Sequence, residues 1–281
     1  MKVGLCLSGG GAMGYAHIGA INALTEADIK IDIINGTSIG AVVGGAYALY
    51  QNPDKMVKLM KQVIGSVNIN YFNIFHHPTG SQSFLNNWLT SAVCNIATLR
   101  KSIQSHRNNL KALRLIFDDR RFEDTKIPFS AVTVDLVTGR TVIIKRGKLV
   151  DGILASTSIP GIFPPVLRGK KLLVDGYVLS NIPVQELHQQ GADFIISVEL
   201  AQAIDTNYQN GLEILNYIEV LKQKQLQEWA IEKSDFHIRI ELPEFDRTHF
   251  NDNYQTAIES GYRAIKQIIP RLKKKLVKAN V

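Results

Sequence analysis

Short apolar runs alternate with helical patterns in the first part of the chain, and glycine-rich turns separate them. Residues 2–8 form an apolar run typical of a buried strand, and a helical pattern follows over residues 14–27. A second, β-branched run at residues 29–35 leads through a glycine turn into a helix over residues 41–50. A strand, a glycine turn and a helix, repeated twice, predict a parallel sheet with crossover helices.

The remaining sequence continues this α/β pattern. Further strands are predicted at residues 128–135, 141–145, 166–174 (a hairpin over Gly169-Lys170), 194–198 and 236–240. Further helices are predicted at residues 52–64, 83–97 and 100–117, around residues 214–221, and from residue 253, where Pro270 should end or kink the last one. No low-complexity linker divides the chain, so we predict one α/β domain.

Composition narrows the class of protein. The chain has 281 residues and is 45% hydrophobic, which allows a sizeable core and excludes a disordered or fibrous protein. Cys6 and Cys94 lie far apart without metal-ligand spacing, so we expect neither a disulfide framework nor a zinc site, and a reducing compartment. The net charge of +7 comes without a nucleic-acid-binding motif, and an anionic membrane surface or an acidic substrate accounts for it equally well.

Neither a signal peptide nor a membrane span is predicted. The apolar run after Lys2 stops at Ser8, which is too short for a secretory segment. Residues 33–53 carry no charge and have glycines at the small-xxx-small spacing of membrane helices, but polar Asn35 and a Gly44-Gly45 pair disfavour a span.

The cluster from Gly9 to Gly14 allows two interpretations. It satisfies G-x-G-x-x-G between a strand and a helix, which is the dinucleotide-binding fingerprint. That fingerprint needs an acid at the end of the second strand, whereas Asp32 is predicted near its middle and Asn35 ends it. The same backbone amides could instead stabilise the oxyanion of a tetrahedral intermediate.

A second glycine site favours the oxyanion. Gly36-Thr37-Ser38-Ile39-Gly40 is G-x-S-x-G at a strand-to-helix junction, which is the context of a nucleophile elbow, with Ser38 as the nucleophile. None of the seven histidines has a motif that supports a role as its base. Asp175, followed by Gly176 at the end of an apolar strand, is the remaining candidate, although a local turn aspartate would have the same pattern.

Together these features resemble the patatin-like phospholipase family. The likeness extends to residues 134–139, 155–160, 163–165 and 181–184, in the family's order, over roughly residues 1–200. It implies a three-layer α/β/α fold with a central, mainly parallel sheet, a catalytic core in residues 1–200 and a C-terminal part of the same domain in residues 201–281. It also implies a Ser-Asp dyad of Ser38 and Asp175 without histidine, metal or cofactor. The implied oxyanion hole and supporting glycines are Gly9, Gly10, Gly11, Ala12 and Gly14, with Gly36, Gly40 and Gly176.

The resemblance implies a serine acyl hydrolase of lipid esters, of phospholipase A or lysophospholipase type. We expect it in the cytoplasm, with transient contact with an anionic membrane surface and no nucleic-acid partner. Two positions depart from the family: Met13 replaces a usual cation, and Tyr177 replaces a small residue. A soluble carboxylesterase or thioesterase, and a catalytically weak lipid-binding regulator, stay open as alternatives.

Overall fold

The computed structural model describes residues 1–66, 102–201, 211–242 and 254–279, and they form a mixed, mostly parallel sheet flanked by helices. The predicted α/β fold is confirmed. Eight strands lie in one sheet in the order β5-β6-β3-β2-β1-β7-β8, with β4 paired to β3. The neighbours β3, β2, β1, β7 and β8 are parallel, whereas β4, β5 and β6 form the antiparallel pairs. The predicted helix at residues 83–97 lies outside the described residues.

The strands are β1 Val3–Leu7, β2 Ile33–Thr37, β3 Phe129–Asp135, β4 Arg140–Ile144, β5 Val166–Arg168, β6 Lys171–Asp175, β7 Phe194–Ala201 and β8 Phe236–Glu241. The helices are α1 Tyr15–Glu26, α2 Ile39–Tyr50, α3 Pro53–Ser66, α4 Arg107–Phe117, α5 Leu149–Ser156, α6 Val184–Gln189, α7 Gly211–Glu232 and α8 Tyr254–Ala279. Short 3₁₀ turns lie at Gly11–Gly14, Phe122–Asp124 and Gly176–Val178. No helix in the described ranges is both long and apolar enough to cross a membrane.

The core divides over the two faces of the sheet. Leu5 and Leu7 of β1 belong to the larger buried cluster, which includes α1, α2 and α8, while Cys6 between them joins a smaller cluster with α6. Successive strand residues point to opposite faces, so the apolar run of β1 serves both clusters. β1, β2, β3 and β7 are buried on both faces, which explains their largely apolar sequences, whereas β8 alternates as predicted.

Two strand ends meet on one edge of β3. Thr37, the last residue of β2, pairs with Val132, and Asp175, the last residue of β6, pairs with the next residue, Thr133. β4 pairs with β3 from Ala131 to Asp135 and so occupies the other edge. Parallel β2 and antiparallel β6 therefore abut end to end, which brings together the residues that follow β2 and those that end β6.

Three local predictions were wrong, one of them the start of the helix predicted at residues 100–117, which begins at Arg107. The second strand begins at Ile33 rather than at residue 29, because the Asp32 carboxylate accepts the Val3 amide at 3.0 Å and so takes a bond that a longer β2 would provide. An end of the last helix at Pro270, one of the two outcomes predicted there, is also wrong, because the helix continues to Ala279. Pro270 is exposed, and the buried residues Ile265 and Leu272 anchor the helix on either side of it.

Candidate active site

Ser38 occupies a strained turn between β2 and α2. Its φ of 53° and ψ of −122° are unusual for a residue with a side chain, and such backbone strain is typical of nucleophile elbows. A Cβ on Gly36 would collide with the Gly40 carbonyl, and one on Gly40 would collide with the carbonyls of Leu7 and Ser8. The turn can therefore form only because both flanking positions are glycine.

Ser156, the last residue of α5, fixes this turn through two hydrogen bonds. Its buried hydroxyl accepts the Ser38 backbone amide at 3.0 Å and donates to the Val132 carbonyl at 2.6 Å. The two bonds tie the elbow to β3, the strand on which β2 and β6 meet. They also occupy the Ser38 amide, so that amide is not a donor toward a substrate.

The glycine loop lies directly beside the elbow. A Cβ on Gly9 would be 3.2 Å from the Ser38 Cβ and 2.6 Å from Asn181 Oδ1, and a Cβ on Gly14 would collide with the Ile39 side chain. The Gly9 amide donates to Asn181 Oδ1 at 3.0 Å, so it too is occupied. Gly9 and Gly14 are two of the residues predicted for the oxyanion hole. Their lack of a side chain allows the loop to pack closely against Asn181, Ser38 and Ile39.

The other nominated loop residues lie at the start of the 3₁₀ turn Gly11–Gly14. Gly10 and Gly11 are partly exposed, and Ala12 is buried. The first amides of a helical turn lack intrahelical acceptors, which makes this end a place where an oxyanion can be bound. The Met13 side chain is 1% exposed and packs in the core, so it contributes an apolar contact beneath the loop.

Asp175 is a fully buried carboxylate at the end of β6. Oδ1 accepts the Tyr177 amide at 2.9 Å, and Oδ2 has no aligned hydrogen-bond partner among the described residues. Burial raises the pKa of Asp175 to about 7, against the opposing effects of the Ser38 side chain and the Tyr177 amide. Ser38 thus lies within interaction range of the carboxylate, but the two groups do not form an aligned hydrogen bond.

Tight packing at Gly176 keeps this strand end close to the elbow. A Cβ there would be 2.5 Å from the Val132 carbonyl and 3.2 Å from Thr37 Cγ2. The neighbouring Tyr177 ring is largely buried, and burial and the charges of Asp175 and Glu219 raise the pKa of its hydroxyl to about 12. Tyr177 therefore stays a neutral aromatic side chain near the Asp175 carboxylate.

His17 lies under the glycine loop without access to solvent. Its Nε2 is 2.8 Å from the Ser8 carbonyl, and burial lowers its pKa to about 4. The ring is therefore neutral near pH 7 and donates a hydrogen bond to Ser8, the residue before the glycine loop. Among the described residues, no group of three or more His, Cys, Asp or Glu side chains is arranged to hold a metal ion.

Three residues that support the site were not predicted from the sequence. They are Thr37, Ser156 and Asn181, whose side chains bond to backbone groups of the elbow, the loop and the turn after Asp175. Ser156 and Asn181 lie in segments that carry the family resemblance, and that position is the only signal they give in the sequence.

Two solved structures share the fold. VipD from Legionella pneumophila matches with a TM-score of 0.51 at 14% identity, covering 96% of this chain and 67% of that one. The human GIVD cytosolic phospholipase A2 matches with a TM-score of 0.51 at 11% identity, covering 99% of this chain and 59% of that one. The chain is therefore an α/β protein of the patatin-like phospholipase fold.

Sequence comparison identifies the family. The model for the patatin-like phospholipase family matches residues 5–188, and the chain belongs to this family. An uncharacterized NTE family protein of Mycobacterium tuberculosis is 31% identical over 199 residues, covering 71% of this chain and 30% of that protein. Lysophospholipase NTE1 of Kluyveromyces lactis is 33% identical over 203 residues, covering 72% and 13%. The chain spans less than a third of the length of these curated relatives.

Proposed function

We propose that the chain is a serine hydrolase of lipid carboxylic esters, with Ser38 as nucleophile and Asp175 as its proton acceptor. The observation that carries the proposal is the meeting of a strained elbow serine with a fully buried carboxylate whose pKa is about 7. A carboxylate with an ordinary pKa near 4 would be a poor base for a serine hydroxyl, and burial brings it close to working pH.

In the first half-reaction, Ser38 Oγ attacks the carbonyl carbon of the ester while its proton passes to Asp175. The negative charge that develops on the carbonyl oxygen is stabilised by the amides of Gly10, Gly11 and Ala12, since the amides of Gly9 and Ser38 are already bonded. Collapse of the intermediate expels the alcohol, which takes the proton from Asp175, and leaves the acyl group on Ser38.

In the second half-reaction, Asp175 accepts a proton from a water molecule that attacks the acyl-enzyme. The intermediate then releases the fatty acid, and the proton returns to Ser38 Oγ. Relatives named lysophospholipase favour a substrate with one acyl chain. Cytoplasmic location and supply of the substrate from an anionic membrane surface stay predictions.

The test is hydrolysis of lysophosphatidylcholine and of p-nitrophenyl acyl esters by purified Ser38→Ala and Asp175→Asn proteins. We expect kcat to fall by about 10³-fold or more in each, because each removes a group that acts in bond formation. Ser260→Ala and Asp119→Asn make the same chemical changes outside the site and should keep the wild-type rate.

Wild-type hydrolysis by either site variant would remove that residue from the mechanism. Labelling by a fluorophosphonate probe, present in the wild type and lost in Ser38→Ala, separates an active hydrolase from a lipid-binding regulator. Comparable rates on monomeric and micellar substrates would favour the soluble carboxylesterase alternative instead.

A further inference from the structure

One turn contacts both the nucleophile elbow and the glycine loop. The Thr37 hydroxyl donates to the Ser180 carbonyl at 2.8 Å. The Gly9 amide donates to Asn181 Oδ1 at 3.0 Å, with the Asn181 carbonyl at 3.3 Å. Asn181 is 7% exposed, so water competes little for this bond.

The same turn is fixed to the strand end that carries Asp175. The amides of Leu179 and Ser180 both donate to the Gly176 carbonyl, at 3.2 and 2.8 Å. Gly176 follows Asp175 directly and packs closely against the Val132 carbonyl. The turn from Gly176 to Asn181 therefore links the acid, the elbow and the loop.

Gly9 lies between Asn181 and the nucleophile. A Cβ on Gly9 would come within 2.6 Å of Asn181 Oδ1 and 3.2 Å of the Ser38 Cβ. The Asn181 side chain thus contacts Gly9, the loop residue that lies next to Ser38. A shift of the loop by a fraction of an ångström changes the distance between the loop amides and a carbonyl held at Ser38 Oγ.

We propose that Asn181 is a positioning residue for the oxyanion hole: by accepting the Gly9 amide, its Oδ1 sets the distance between the glycine loop and Ser38. The inference rests on the proposed hydrolytic function. The interaction acts in the transition state, when charge forms on the carbonyl oxygen, so its loss should lower kcat and leave KM nearly unchanged.

The main test compares Asn181→Ala with Ser197→Ala. Ser197 is fully buried and bonds to His237 at 2.9 Å, away from the site, so this control also loses one buried hydrogen bond. Both variants should show a similar fall in melting temperature. For Asn181→Ala we expect kcat on a p-nitrophenyl ester to fall about 10- to 100-fold with KM within about threefold, as misplaced catalytic groups typically cause. Ser197→Ala should keep the wild-type kcat.

A second pair of variants tests the other contact of the turn without relying on Asn181. Thr37→Val keeps the shape of the side chain and removes the hydroxyl that donates to Ser180, whereas Thr37→Ser keeps the hydroxyl. We expect kcat to fall in Thr37→Val and to return to within about twofold of wild type in Thr37→Ser, since the hydrogen bond rather than the methyl group positions the elbow.

The outcomes separate this inference from the function on which it rests. If Ser38→Ala is inactive and Asn181→Ala, folded, keeps a kcat within twofold of wild type, the positioning role is wrong and the hydrolase stands. If Asn181→Ala does not fold, a Thr37→Val kcat equal to that of Thr37→Ser overturns the linkage. If Ser38→Ala retains full activity, the proposed function fails first.

Discussion

At the scale of single residues, the protonation state of Asp175 decides when the proposed dyad can work. Its pKa of about 7 arises from complete burial, and only the ionised form can accept the Ser38 proton. As pH rises through 7 the carboxylate form replaces the acid, so kcat/KM should rise on a limb centred near pH 7 and level off above it. A pH series on a soluble ester measures this limb.

His17 does not account for such a limb, since burial holds its pKa at about 4. The temperature dependence provides a further control, because a carboxyl group ionises with a small enthalpy and an imidazole with a large one. The midpoint should therefore hardly move with temperature. A limb near pH 4, the range of an exposed aspartate, would contradict a buried Asp175 as the base.

Residues were predictable from the sequence where they belong to a local pattern. Ser38 is flanked by glycines at two-residue spacing, and Asp175 ends an apolar strand next to a glycine, so short segments nominate both. Ser156 and Asn181 have no such pattern, because they bond to amides 118 and 172 positions away. Contacts at that separation depend on the register of the sheet, which one sequence does not define.

At the scale of secondary structure, the important feature is the end-to-end meeting of β2 and β6 on β3. The strands and the hairpin at Gly169-Lys170 were predicted from apolar runs and turn residues, and both are present. The antiparallel pairing of β6 with β3 was not predicted, since an apolar run has the same appearance in either direction. This pairing, rather than the parallel core, brings Asp175 close to Ser38, the proposed nucleophile.

Gly176→Ala tests this junction. The new Cβ would meet the Val132 carbonyl at 2.5 Å, so β6 must move relative to β3 and carry Asp175 with it. We expect the free energy of unfolding to fall by about 1–3 kcal/mol, as in other overpacked sites. We also expect kcat to fall by more than a smaller folded fraction would account for, because Asp175 moves with β6. Among the described residues, no atom lies within 4 Å of a Cβ at Gly211, so Gly211→Ala should leave kcat unchanged. Urea titration and ester hydrolysis measure the two effects, and unchanged kcat in Gly176→Ala would show that the junction tolerates the shift.

At the scale of the whole molecule, the C-terminal helix completes the layer that supports the glycine loop. α1 begins at Tyr15, directly after the loop, and α8 packs along it with Ala257, Ile265 and Leu272 fully buried. The family match ends at residue 188, so this contact comes from a part of the chain beyond the matched region. Helical spacing in the sequence predicted the helix, but not that α1 is its partner, because an apolar face does not specify what covers it.

The two helices touch backbone to backbone, and glycine makes this possible on each side. A Cβ on Gly261 of α8 would collide with the Ala16 carbonyl of α1, and one on Gly19 would collide with the Ile258 carbonyl. Gly261→Val should therefore push α8 from α1, lower the free energy of unfolding by about 1–3 kcal/mol and reduce kcat, because α1 holds one end of the glycine loop. Gln267→Val introduces the same residue on the exposed face of α8 and should leave kcat unchanged. Thermal unfolding and ester hydrolysis of Gly261→Val and Gln267→Val test this prediction. Equal stability of the two variants would mean that α8 does not need close contact with α1.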